Sequence, residues 1–134
     1  MILDSPKQKE KSEIAEDNSD ASSSEKSSLT FTQKNAVRSA RNYLSLSGFS
    51  RSGLIEQLSS DAGDGYSVND ATIAVDSLNV DWNENAARSA KQYLELSGFS
   101  CKGLIEQLSS SAGSKYTKSQ ATYGAHQVGA CGEK

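Results

Sequence analysis

Proline is nearly absent from this 134-residue chain: Pro6 is the only one, and it lies among the first ten residues. Nothing beyond it removes a backbone amide from a helix. Long apolar runs are absent too. No stretch approaches the ~20 residues that cross a bilayer, and Met1-Ile2-Leu3 is followed at once by Asp4, leaving no apolar core for a secretory signal. As written, the chain is expected to be soluble. Basic charge is not in surplus either. The net charge is −3, made of −3 in residues 1–30, −1 in 31–80 and +1 in 81–130, with Glu133 and Lys134 cancelling. A nucleic-acid binder usually carries clustered Lys and Arg to neutralise phosphate, so nucleic acid is not an expected partner.

Cysteine and histidine are scarce. Cys101 and Cys131 belong to no CxxC or Cys/His ligand spacing, so no metal site is expected. They stand either as free thiols or as a disulfide closing the second half of the chain. His126 is the sole histidine, and no nucleophile, metal or phosphate motif accompanies it. A lone histidine of this kind is a surface residue rather than a general base, and no catalytic residue, cofactor or enzyme activity is expected. Strand-like alternation is missing throughout, which excludes a sheet and leaves an all-α fold.

What is present is a repeat. Residues 36–80 and 86–130 share 24 identical positions without a gap, including Tyr43-Leu44, Leu46-Ser47-Gly48-Phe49-Ser50 and Gly53-Leu54-Ile55-Glu56-Gln57-Leu58-Ser59-Ser60. Self-similarity at a fixed period of 50 residues signals a tandem of like units. The organisation read from this is a Ser/Glu/Lys-rich spacer over 1–30, a first three-helix repeat over 31–80 and a second over 81–130. The spacer has too few apolar residues to offset the cost of ordering, and a charged helix over 7–17 is its alternative.

Within each repeat three helices are expected. Ala36, Val37, Ala40, Tyr43 and Leu44 lie on one face of a helix near 33–46, with Thr30 or Thr32 as N-cap; its counterpart near 82–96 opens on Asp81 with Glu84 three residues on, in capping-box order. The corner Gly48-Phe49-Ser50, and again Gly98-Phe99-Ser100, joins helix one to helix two. Gly48 reads as a left-handed helix terminator, Phe49 as an anchor between Leu44 and Leu54, and Ser50 as the next N-cap. Fully buried, Phe49 truncated to alanine costs roughly 3–5 kcal/mol. Helix two carries Leu54, Ile55 and Leu58, and mid-helix Gly53 and Gly103 suggest a close helix crossing. Helix three opens at Ser67 or Thr117 and presents Ala71, Ala74, Val75 and Leu78, or Ala121, Ala125 and Val128. Only Asn79, Val80 and Asp81 are expected to separate helix three from the next helix one, so Trp82 is expected to pack between the repeats, with an exposed partner anchor as the alternative.

Helix, glycine-containing turn and helix together make a helix-turn-helix outline, so a nucleic-acid-binding regulator is the second reading. The second repeat offers a plausible surface in Lys115, Lys118, Gln120, Thr122, His126 and Gln127, but residues 67–76 of the first hold two acids and no base, which makes a poor tandem reader. Glu56 and Glu106 read as the wet face of helix two, with a carboxylate for a partner as the alternative. The repeats differ most at 61–70 against 111–120 and at 73–80 against 123–130. Asp61, Asp64, Asp70 and Asp76 of the first repeat, with Lys115 and Lys118 of the second, are therefore the candidate partner-binding residues.

The repeated Ala-Arg-Ser-Ala-x-x-Tyr-Leu, Ser-Gly-Phe-Ser and Gly-Leu-Ile-Glu-Gln-Leu, the Ala71-Thr72 and Ala121-Thr122 pairs, and the joining Val80-Asp81-Trp82-Asn83-Glu84 resemble the Ltp-type host-cell-surface lipoproteins over residues 33–130. The resemblance implies tandem three-helix domains of helix-turn-helix type, lipid-anchored on the extracellular face of the cell membrane of a Gram-positive host through a Ser-rich spacer. It implies superinfection exclusion: the phage-encoded members block DNA injection by an incoming phage by engaging its tape measure protein. Met1-Ile2-Leu3-Asp4 stands where that family has a signal peptide and lipobox cysteine, so the chain is expected to be either the soluble mature part of a lipid-anchored full-length form or an unanchored relative. The chain itself is expected to act as a monomer.

Overall fold

The computed structural model describes residues 28–132. The spacer expected over 1–30 and its helical alternative over 7–17 fall, up to residue 27, outside the described residues. Among these are six α-helices and no strand: α1 Phe31–Leu46, α2 Arg51–Ser59, α3 Val68–Asp76, α4 Trp82–Leu96, α5 Cys101–Ser109 and α6 Lys118–Gln127. The protein is all-α, a tandem of two three-helix repeats. Asn35–Lys134 form one compact unit holding two apolar clusters, one per repeat.

Caps set the helix starts. Thr30 Oγ1 accepts from the Gln33 amide while Gln33 Oε1 accepts from the Thr30 amide, each at 3.0 Å, so the cap of α1 is Thr30. Ser50, Ser67, Asp81, Ser100 and Thr117 each accept from the amide three residues on, satisfying donors that the first helical turn leaves orphaned. Leu54 and Leu58 in one repeat, Leu104 and Leu108 in the other, are fully buried, each contributing about 1.5–3 kcal/mol by leaving water. They meet the small-residue faces of α3 and α6. The tightest helix approach sequence reasoning missed is at Gly124, where a Cβ would stand 2.7 Å from the Ala86 carbonyl oxygen on α4.

Three expectations change. Gly48 and Gly98 are not left-handed; the described glycines with positive φ are Gly65, Gly129 and Gly132. Gly48 is required instead by proximity to the second repeat, since a Cβ there would lie 2.6 Å from Ser89 Oγ and 2.8 Å from the Asn85 carbonyl oxygen. Gly53 and Gly103 do not mark a helix crossing. A Cβ on either would press on its own cap, Ser50 Oγ at 3.0 Å or Ser100 Oγ at 3.1 Å. Phe49 and Phe99 are half-buried, each edge-on to the tyrosine of helix one at 5.8 Å between centroids, so truncation costs less than full burial implies.

The repeats are joined by a polar seam. Arg88 donates to the Leu44 carbonyl in the last turn of α1 at 2.8 Å, and the Phe49 amide donates to Asn85 Oδ1 at 3.2 Å. Gln92 Oε1 accepts from Ser47 Oγ and the Gly48 amide. The second repeat's α4 thus supplies the end cap that α1 lacks by itself. Beneath it, buried Tyr116 donates to the Asn85 carbonyl at 2.9 Å, which makes Ser89 Oγ, 2.7 Å away, the donor to the phenol oxygen. Trp82, half-buried, packs on the first repeat's cluster with Leu44 and Leu78.

Each repeat also staples the start of its second helix to the end of its third. In the first, Arg51 holds Asp76 through two hydrogen bonds of 2.7 and 2.9 Å. This pair holds the Arg51 charge and keeps the Asp76 carboxyl below the usual carboxylate range. Both charges sit at the wrong end of their helices for the macrodipole, so the pairing is tertiary in origin. At the matching positions the second repeat has Cys101 and His126, and Cys101 is bonded to Cys131, closing a loop of 30 residues.

Two outcomes follow from the seam. Gly48→Val destabilises the protein by roughly 1–3 kcal/mol because backbone lies where its Cβ must go, whereas Gly98→Val, with nothing within 4 Å, leaves thermal unfolding unchanged. Equal melting temperatures for the two variants refute the seam. Burial pushes the Tyr116 phenol up to about 12. Between about pH 10, where an unfolded tyrosine ionises, and about pH 12, the unfolded chain has released a proton that the folded chain retains. Stability therefore falls as pH rises, by up to about 1.4 kcal/mol per pH unit, and denaturant titrations of Tyr116→Phe should show that slope reduced.

Candidate functional site

The α2–α3 and α5–α6 loops, where the repeats diverge, share one backbone. Asp64 and Ser114 amides both donate to the glutamine carbonyl seven residues earlier at 3.2 Å, and Tyr66 and Tyr116 amides both return to a leucine carbonyl of the preceding helix. One scaffold thus displays two chemistries. Gly65 and Lys115 occupy the same left-handed position, with φ of 74° and 66°. A lysine there costs about 1 kcal/mol or more relative to glycine.

The six charged candidates are not gathered into one site. Asp64 accepts from the Tyr43 hydroxyl at 2.8 Å, which raises the Tyr43 pKa and ties the loop to α1. Ser114 performs the same anchoring in the second repeat, with Tyr93 at 2.7 Å. Asp76 is held by Arg51. Lys115 reaches across the junction to Glu56 of the first repeat, beside Ser50 Oγ donating to the Ser114 carbonyl. Glu56, read from the sequence first as the wet face of helix two, is therefore an inter-repeat contact. Asp61 and Lys118 are exposed, and Asp70 sits in the first turn of α3. Among the described residues the one group of three or more His, Cys, Asp or Glu whose ligand atoms converge is Cys101, His126 and Cys131. Its two sulfurs are bonded to each other and carry no thiolate charge for a metal.

Exposed apolar side chains recur at matching places of the two repeats. Leu46 and Leu96, the last residues of α1 and α4, are 77% and 83% exposed, and Ile73 and Tyr123 occupy matching places on α3 and α6, each 37% exposed. Leu96 borders a groove of ≈ 300 Å³ along the junction, with Ser47, Gly48, Ser89, Gln92, Tyr93 and Ser114. A second groove, of ≈ 420 Å³, lies between Leu94 and Val128, with Lys91, Glu95 and Gln127. Sequence reasoning passed over Asn85, Arg88 and Ser89, which build the junction. The signal was that Asn35, Arg38 and Ser39 repeat them identically along one helix face.

Known proteins match this arrangement. The family described as host cell surface-exposed lipoprotein matches residues 32–78 and again 81–128. The solved structure of Ltp, a superinfection exclusion protein from the Streptococcus thermophilus temperate phage TP-J34, is 31% identical with a TM-score of 0.66. That match covers 73% of this chain and 96% of Ltp. Individually curated proteins yield no match. No described helix is long and apolar enough to cross a membrane. Because the family pattern is met twice, once over each three-helix repeat, the chain belongs to the host cell surface-exposed lipoprotein family.

Proposed function

We propose that this protein is a superinfection exclusion protein that acts at the extracellular face of a Gram-positive cell, held there by a lipid anchor in its full-length form. It blocks DNA injection by an incoming phage through binding that phage's tape measure protein. The observation that carries the reading is the 31% identity to Ltp across 96% of that chain, which spans both repeats. Its physical basis is competition: a stiff helical surface captures an extended protein segment before that segment can line a passage for DNA.

Exposed apolar side chains supply affinity for such a segment, and Leu46, Leu96, Ile73 and Tyr123 present them at equivalent places of the two repeats. Asp61 and Asp70 face basic residues of the segment and set its polarity, while Lys118 makes the second repeat differ. A duplex-reading role is disfavoured because α3, Val68–Asp76, carries two acids and no base.

The decisive experiment displays the anchored chain on a susceptible host and measures phage adsorption and DNA entry separately. Adsorption is expected to be normal and entry blocked; normal DNA entry overturns the proposal. In a binding assay with the purified tape measure protein, Leu46→Ser with Leu96→Ser is expected to weaken binding at least tenfold, and Asp61→Lys with Asp70→Lys to weaken it less.

A further inference from the structure

The seam between the repeats is head-to-tail, and each of its two halves occurs a second time at the opposite ends of the tandem, meeting no such partner among the described residues. One half is the first repeat's corner: the Leu44 carbonyl, Ser47, Gly48, the Phe49 amide and Ser50. The other is the face of α4: Asn85, Arg88, Ser89 and Gln92. Fifty residues on, the second repeat has the same corner in Leu94, Ser97, Gly98, Phe99 and Ser100. Fifty residues back, α1 has the same face in Asn35, Arg38 and Ser39, with Asn42 in place of Gln92.

Burial shows which halves are occupied. Ser50 is 2% exposed, Ser89 5% and Asn85 8%, whereas Ser100 is exposed and Ser39 and Asn35 are half-buried. Gly48 has α4 backbone where its Cβ would go, and Gly98 has nothing within 4 Å. With no corner to reach, Arg38 turns back and donates to Asn35 Oδ1 at 2.7 Å; their counterparts Arg88 and Asn85 reach across the seam instead. Trp82, Leu44 and Leu78 all pack on the first repeat's cluster, and the counterparts of the two leucines, Leu94 and Val128, line an open groove of ≈ 420 Å³. Thr32 registers with Trp82, and its neighbour Phe31 is 79% exposed at the first turn of α1.

From this duplication we infer that a second copy of this chain docks on the second repeat's corner with the face of its α1, so that copies associate head-to-tail by repeating their own internal seam. In the docked pair Arg38 of the second copy donates to the Leu94 carbonyl, Asn35 of the second copy accepts from the Phe99 amide, and Gly98 receives the backbone of that α1. The seam is tied inside the chain by the five residues between α3 and α4, which gives it an effective concentration near millimolar. Between copies that advantage is absent, and so is the ion pair of Lys115 with Glu56, because glycine, Gly65, holds the lysine's place. The association is therefore weak in dilute solution and grows with the crowding of chains on a surface. A heterologous contact of this kind extends into chains unless it is capped.

Sedimentation equilibrium on the full chain from about 10 μM to about 1 mM tests this, that upper limit being the effective concentration just given. The weight-average mass of the native chain is expected to rise with concentration. Gly98→Val blocks the corner and Arg38→Glu blocks the α1 face, so each variant alone is expected to stay monomeric. Each retains the half that the other lacks, so an equimolar mixture is expected to form a dimer and stop there. A native chain that remains monomeric at the highest concentration overturns the inference, as does self-association that persists in either variant. Circular dichroism of both variants confirms folding, and Gly98→Val meets open space in the single chain.

Discussion

The structure depends on the approach of the Gly48 backbone to α4. A helix must settle its last carbonyls and a corner must settle its amides; α1 does neither alone, and the second repeat does both. Arg88 takes the Leu44 carbonyl, Asn85 takes the Phe49 amide, and Gln92 takes the Gly48 amide. Only a residue without Cβ lets the backbones come close enough for those bonds. The underlying Tyr116 hydroxyl and Ser89 complete a buried network in which every named polar atom has a partner, the condition under which such networks specify one arrangement. Each repeat is near the size at which a single core is marginal, so this seam supports stability as well as orientation.

The same sequence consequently has two environments. Ser50 and Ser100 are both N-caps with the same bond to a glycine amide, yet one is sealed by the neighbouring repeat and the other stands in solvent. Tyr66 and Tyr116 occupy one register position, but only Tyr116 is buried to 3% exposure. The Arg51–Asp76 pair and the Cys101–Cys131 bond solve the same problem by different chemistry. A half-exposed ion pair contributes under about 1 kcal/mol. A disulfide across 30 residues restricts the unfolded chain by roughly 3–4 kcal/mol in the chain-entropy account. The second repeat, whose corner meets no other repeat among the described residues, is the one with the covalent staple.

Much of this was legible in the residues. Helical periodicity located Leu54, Leu58, Ala71, Ala74 and Val75 as core, and cap chemistry located Ser50, Ser67, Asp81 and Thr117, because both are local rules. The reason for Gly48 was not legible. A glycine after a helix is ordinarily a left-handed terminator, and the competing cause, backbone 37 residues away, leaves no local mark. Gly53 was misread for a related reason: its constraint is the hydroxyl of its own cap, not another helix. Asn85, Arg88 and Ser89 looked like an ordinary polar face, although their exact recurrence as Asn35, Arg38 and Ser39 was available. Of the charged candidates, sequence divergence singled out two loops that share one backbone. It did not reveal that Asp64, Asp76 and Lys115 already have partners within the chain.

Those internal partners bear on what kind of surface could capture another protein. A carboxylate already paired must lose its partner before it gains another, so Asp76 and Asp64 offer little net attraction, and exposed pairs are weak and screened by salt. Leu46 and Leu96 face no such competition. Each is a large apolar side chain left in water at a helix end whose position is fixed by a cap or corner, so little conformational freedom remains to be lost on binding. The two lie at equivalent places of repeats joined by five residues, and a segment long enough to meet both gains from the second contact without a second diffusional encounter. A binding surface of this design draws its strength from apolar contact at two fixed points. Exposed charge then acts on direction and choice of partner.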